Sequence, residues 1–243
     1  PQRGIPRQLI RSNDSGQRID EFDGPAQCSV GVFGDSFSAA QQVGQFEDYS
    51  SLTETSLRSN GIDVDLMNFG MNAAGTTVQY LRYLQLISQG YKFDHIVLQF
   101  YPGNDTLNNH YELHRKLKRN MRYPYFVIQD GHLVRDDHAG TPKSKDALSG
   151  LKTFLKHYSH LVSLGLRTWG SMSATLERKW QFETFMPPID QNWKEAWAVT
   201  DLVLEKWMKH ASANGSKFTV VMITSALQFS EEISLEPRAE TDY

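Results

Sequence analysis

Three short stretches hold residue types that acyl chemistry needs. They are Gly34-Asp35-Ser36 in "CSVGVFGDSFSAAQQ", Gly70 in "LMNFGMNAAGT", and Gly103-Asn104-Asp105 in "FYPGNDTLNN". A serine hydroxyl attacks an ester carbonyl once a base takes its proton. The tetrahedral intermediate then needs hydrogen-bond donors aimed at its oxyanion. The Ser36 N–H, the Gly70 N–H and the Asn104 side-chain amide are donors of the required kind. Each stretch also has a plain structural reading. Ser36 suits the N-cap of a helix, Gly70 a tight turn, and Gly-Asn-Asp is good turn chemistry in its own right.

What favours chemistry is the order of the elements that carry these residues. A β-rich run from Cys28 ends at Gly34, and Phe46 to Leu57 carries apolar residues at helical spacing before the stop signal Ser59-Asn60-Gly61. A second strand is expected at Ile62 to Asn68, a helix at Thr77 to Ser88, and a third strand at Asp94 to Tyr101, where Ile96, Val97 and Leu98 form a continuous apolar run. "YPYFVIQDGHLVRDD" reads as a hairpin around Asp130-Gly131. Ala147 to Leu166 reads as one or two helices, and Trp169 to Ile189 has no clear pattern. Trp193 to Ala213 is an amphipathic helix capped by Asn214-Gly215, and "KFTVVMITSA" is the last strand.

Strand and helix alternate, which predicts a doubly wound α/β fold on a parallel sheet. The parallel strands of such a sheet share one carboxyl edge, where ligands bind. The three turns leave three successive strands there, so Ser36, Gly70 and Asn104 become neighbours. One domain over residues 1–243 is expected, with about 106–190, the hairpin and part of the helices, inserted over the site.

Composition narrows the partners. The 243 residues are 40% hydrophobic and 12% aromatic, enough for a sizeable core. A net charge of -3 and the lack of a basic stripe with interleaved aromatics argue against nucleic acid. "HRKLKRNMR", His114 to Arg122, reads as a solvated helix face. Cys28 is the only cysteine, which excludes an internal disulfide and a cysteine-built zinc site. No His/Asp/Glu set has metal-ligand spacing, and no apolar run is long enough for a membrane helix within this chain. Compartment and oligomeric state leave no mark on the sequence.

The three stretches, in order and register, resemble the first three sequence blocks of the SGNH, or GDSL-type, hydrolases: Gly34-Asp35-Ser36-Phe37, then "LMNFGMNAAGT", then "FYPGNDTLNN". The likeness covers most of Ser29 to Asn109 and resumes more weakly through the hairpin, the Trp193 helix and the last strand. It implies a three-layer α/β/α domain on a five-stranded parallel sheet of flavodoxin-like type. It also implies serine-dependent hydrolysis or transfer of ester-linked acyl groups, without metal or organic cofactor. Ser36 would be the nucleophile, and Gly70 and Asn104 would be oxyanion donors. Asp35 would order the nucleophile loop and Asp105 would hold the third turn. The substrate would be a small-molecule or glycan ester.

The family's fourth block, Asp-x-x-His, does not occur in these 243 residues. The simplest expectation is that this block lies beyond the sequence. The alternative is a site that keeps the fold for binding without the base. A glycan O-acyltransferase or deacetylase is a third reading, with Trp169, Trp180 and Phe182 as stacking candidates. Among the histidines, His110 and His114 follow the third block and are candidates for substrate contact. His132 reads as a turn residue, His95 lies at the wrong end of its strand, and His157 and His160 fall in a helix with mixed faces.

Overall fold

A computed structural model describes residues 9–18, 26–116, 123–136, 183–188 and 190–224. Among the described residues its centre is a parallel sheet of four strands in the order β2-β1-β3-β6. The strands are β1 (Cys28–Phe33), β2 (Val64–Asn68), β3 (His95–Phe100) and β6 (Lys217–Met222). The hairpin strands β4 (Tyr125–Gln129) and β5 (His132–Asp136) form a separate antiparallel pair. Its turn residues Asp130 and Gly131 both have positive φ, 49° and 76°, the backbone that a two-residue hairpin demands.

Alternation along β1 sends neighbouring side chains into different cores. Val32 joins Val64 and Leu66, against which Tyr49 and Leu57 of helix α2 (Tyr49–Ser59) pack. Phe33 points instead into the larger core, with Phe69, Ile96 and Leu98. Helix α3 (Thr76–Ser88) contributes Tyr80, Tyr83 and Leu86 to that core. Helix α6 (Gln191–Ala213) adds Val199, Val203 and Trp207. Trp207 is fully buried, and its ring lies 5.3 Å from Phe33, 5.6 Å from Tyr83 and 5.5 Å from Phe218. Aromatic contacts of this kind add about 0.5–1.5 kcal/mol each beyond the area they bury. Helices therefore flank the sheet, and the strand ends they leave open are where the three turns lie.

Two details differ from the sequence reading. The first long helix starts at Tyr49, not Phe46, because the Asp48 carboxylate caps it by accepting from the N–H groups of Ser50 and Ser51. The apolar run of β3 is not uniformly covered. Ile96, Leu98 and Phe100 are buried, whereas Val97 is only half-buried, and Val220, Val221 and Met222 of β6 are exposed. The expected helices within Ala147 to Leu166, and Trp169, Trp180 and Phe182, lie outside the described residues. Among the described residues, no helix is long and apolar enough to cross a membrane.

Candidate active site

The strand β1 runs out at Phe33, and the chain turns at Gly34 and Asp35 into the single helical turn α1 (Ser36–Ala39). Asp35, not Ser36, is the cap: its Oδ1 accepts from Phe37 N at 2.8 Å. Ser36 therefore opens the helix with no capping duty, and it is exposed. The Ser38 hydroxyl, by contrast, is turned inward and donates to Gln99 Oε1 of β3. This is why one serine of "SFS" faces solvent and the other does not.

The second turn is pressed against α1. Met71 N donates to Gly34 O at 3.0 Å, closing β2 onto β1 at the strand ends. A Cβ at Gly70 would lie 2.3 Å from Ala39 N and 2.5 Å from Ser38 C, so only glycine allows this approach. The Gly70 N–H is not idle. It donates to Asn68 Oδ1 at 2.9 Å, the local loop that an Asn two residues earlier forms. An oxyanion at Gly70 would have to displace that neutral acceptor. A charged acceptor makes the stronger bond by roughly twofold, so the exchange is favoured in the reacting state.

The third turn closes on the first. Asn104 precedes helix α4 (Asp105–Asn108), and its Nδ2 donates to Asp35 Oδ2 at 2.8 Å. The carboxylate fixes which way the amide points, and Nδ2 carries a second hydrogen. Asp35 thus ties the Ser36 turn to Asn104 through one oxygen and caps α1 with the other. Burial pushes the Asp35 carboxyl above its usual range, while its bonds from Phe37 and Asn104 pull the other way. Tyr101, at the end of β3, folds over Gly103 and packs edge-on against Phe37 with ring centroids 5.0 Å apart.

Asp105 is fully buried and closes the turn, accepting from Tyr101 N at 2.8 Å and from Gln79 Nε2 at 3.4 Å. Burial, reinforced by the nearby Asp35 charge, raises its carboxyl well above the usual value of 3.8. The folded state therefore binds this proton more tightly than the unfolded chain. Stability from it is complete below the unfolded value and is lost as pH rises through the folded one. Asp105→Asn removes that titration. An amide there can keep the Tyr101 bond through its Oδ1, while its Nδ2 faces Gln79 Nε2, which Ala74 O holds in place at 2.8 Å. The variant should show a flatter fall in urea midpoint from about pH 4 upward than the unaltered protein. A pH dependence equal to that of the unaltered protein would refute this role for Asp105.

The two histidine candidates occupy different surroundings. His110 is half-buried, and its Nε2 lies 3.4 Å from Glu195 Oε2 of α6. His114, on helix α5 (Tyr111–Lys116), is 1% exposed, and its Nδ1 shares a 2.6 Å bond with Tyr125 Oη of the hairpin. The Tyr125 ring also packs against it, with centroids 6.0 Å apart. Among the described residues, no side chain hydrogen-bonds the Ser36 hydroxyl, and no group of three His, Cys, Asp or Glu is placed to hold a metal.

Four residues absent from the sequence reading of the site support the turns. Arg18, Asp48 and Asn68 are buried together behind α1. Asn109, also buried, caps α3 by accepting from Thr77 N at 2.8 Å and reaches Thr200 of α6 at 2.9 Å. An Asn two positions before a turn glycine is a legible local-bonding signal for Asn68. Arg18 acts across 22 residues of chain and Asn109 across 91, and neither carries such a signal.

No family model matches the chain, and no curated protein matches it. Similar solved structures include AlinE4, an SGNH-hydrolase family esterase, at 25% identity over 42% of this chain and 63% of that one, with a TM-score of 0.29. They also include TesA, at 14% identity over 75% of this chain and 98% of that one, with a TM-score of 0.29. The chain thus spans 63% of the length of AlinE4.

Proposed function

We propose that this chain carries the nucleophile and oxyanion hole of a serine ester hydrolase. Ser36 Oγ attacks the acyl carbonyl carbon, and its proton passes to a base. The carbonyl oxygen becomes an oxyanion held by the Ser36 N–H, the Gly70 N–H and the Asn104 amide. Collapse of the intermediate expels the alcohol and leaves an acyl-serine, which water then hydrolyses. The fold in this reading is the three-layer, five-stranded form. The base in this reading is the histidine that an Asp-x-x-His block supplies in the family that the three sequence blocks resemble. Asp35 and Asp105 serve as supports, and neither is the acid or base. No cofactor enters the reaction. The substrate is a small-molecule or glycan ester, and His110 stands at the margin of the site.

One observation carries the reading. An exposed serine opens α1 while the turns after β2 and β3 are both locked onto that same turn, by Gly70 against Ser38 and Ala39 and by Asn104 on Asp35. A serine that only capped a helix would need neither contact, and here the cap is Asp35.

A fluorophosphonate tests the assignment directly, because Oγ displaces fluoride from phosphorus and stays bonded to it. Incubation of the full-length protein should give one stoichiometric adduct, on the peptide containing Ser36, with loss of p-nitrophenyl acetate hydrolysis in step. Ester hydrolysis that persists with Ser36 unmodified, or an adduct on a different serine that abolishes it, would overturn the proposal.

A further inference from the structure

The turn that presents Ser36 is held from behind by residues far from the three motif stretches. Arg18 is 6% exposed although it is a charged residue in a segment with only isolated bridge pairings. Its Nη1 donates to Ala40 O at 3.0 Å and to Ala39 O at 3.2 Å. Its Nη2 donates to Gly44 O and reaches Val43 O at 3.5 Å. Its Nε lies 3.1 Å from Asp48 Oδ2, close enough for an ion pair although not aligned as a hydrogen bond. Its backbone N–H donates to Asn68 O at 3.0 Å.

These partners are not arbitrary. Ala39 and Ala40 end α1, the turn that Ser36 begins, and Ala40 N donates back to Ser36 O at 3.0 Å. Ala40 is in the left-handed region, φ 46°, which an alanine adopts only when its surroundings hold it there. The guanidinium on its carbonyl is such a hold. Asp48 meets Arg18 on one side and accepts from Asn68 Nδ2 at 3.1 Å on the other. That same Nδ2 donates to Ser38 O at 2.9 Å, and Asn68 Oδ1 accepts the Gly70 N–H. One buried chain of contacts therefore runs from the exit of the serine turn, through Arg18, Asp48 and Asn68, to the oxyanion glycine.

We propose that Arg18 is a positioning residue: paired with Asp48, its guanidinium fork sets the Ser36 turn in register with the Gly70 donor. This rests on Ser36 being the nucleophile. A fork is needed because four carbonyls at different angles are met by two nitrogens in one plane, which a single ammonium cannot reproduce. Loosening the exit of α1 by an ångström misplaces Ser36 relative to the oxyanion donors, and misplacement of that size costs about 10²-fold in rate.

Burst titration of the full-length protein with p-nitrophenyl acetate separates this role from mere folding, because burst amplitude counts competent sites and kcat is then expressed per site. Arg18→Met should lower kcat per titrated site by about 10²-fold, and Arg18→Lys by about tenfold, with KM changed by less than about threefold. Arg18→Lys keeps the charge, so it keeps the test open if Arg18→Met does not fold. Asp48→Asn, which retains the shape but not the charge, should fall between them. Loss of burst amplitude with full kcat per remaining site in the Lys and Asn variants would overturn the inference and leave Arg18 a folding residue. An unaltered protein that hydrolyses the ester without a burst and without labelling at Ser36 would overturn the nucleophile assignment, and Arg18 as its positioner would fall with it.

Discussion

Ser36→Ala in the full-length protein should lower kcat for p-nitrophenyl acetate by about 10⁴- to 10⁶-fold, with a stability change within about 0.5 kcal/mol. The size of the first effect follows from covalent catalysis: without Oγ no acyl-enzyme forms, and the residue left behind is a donor array with nothing to attack. The small size of the second follows from the geometry. Ser36 is exposed and its hydroxyl caps nothing, since Asp35 accepts the Phe37 N–H. If Ser36 were the structural cap, removal would cost about 1 kcal/mol of stability and leave chemistry alone. The two readings therefore predict opposite patterns across two measurements. Urea midpoints and steady-state kinetics on the same preparations decide between them. Unchanged kcat sinks the nucleophile, whatever the stability does.

The pattern that placed Ser36 was legible because its signals were local. A β-rich run broken by Gly-Asp-Ser, followed by the turn at Gly70 and by Gly-Asn-Asp, marks three strand ends without any long-range information. β1, β3, α3, the hairpin and α6 follow from periodicity and from the stops at Asp130-Gly131 and Asn214-Gly215. Phe46 has helical spacing to Tyr49, but the chain there has φ 69° and the Asp48 cap decides where α2 begins. The surroundings of His114 carry no sequence signal, since its Nδ1 partner is Tyr125 of the hairpin, eleven residues on in another element. Arg18 is the extreme case. It sits in a stretch with no periodicity, and every side-chain partner lies more than twenty residues away. Local pattern finds the groups that could react; only the fold shows what keeps them in register.

That register is what Gly70→Ala should destroy. The new Cβ would lie 2.3 Å from Ala39 N, 2.5 Å from Ser38 C and 2.6 Å from Ser38 Cβ. Backbone atoms cannot rotate away as a flexible side chain can, so either α1 or the turn after β2 must shift. Neither is free to do so. Ser38 is held by Gln99 and by Asn68 Nδ2, Ala39 and Ala40 by Arg18, and Met71 by Gly34. The expected cost is about 3 kcal/mol or more, at the upper end for overpacking. In molecules that still fold, kcat per titrated site should fall by at least about 10²-fold, because the shift moves the Gly70 donor away from Ser36. Gly61→Ala supplies the contrast. Gly61 has φ +80° with nothing within 4 Å of a built Cβ, so its substitution strains the backbone without touching the site. It should cost about 1–2 kcal/mol and leave kcat per site unchanged. Urea midpoints with burst titration read both quantities for both variants. A Gly70→Ala protein with the stability and per-site rate of the unaltered chain would mean that the turn after β2 is not pressed against the serine turn, and the oxyanion role of Gly70 would lose its structural basis.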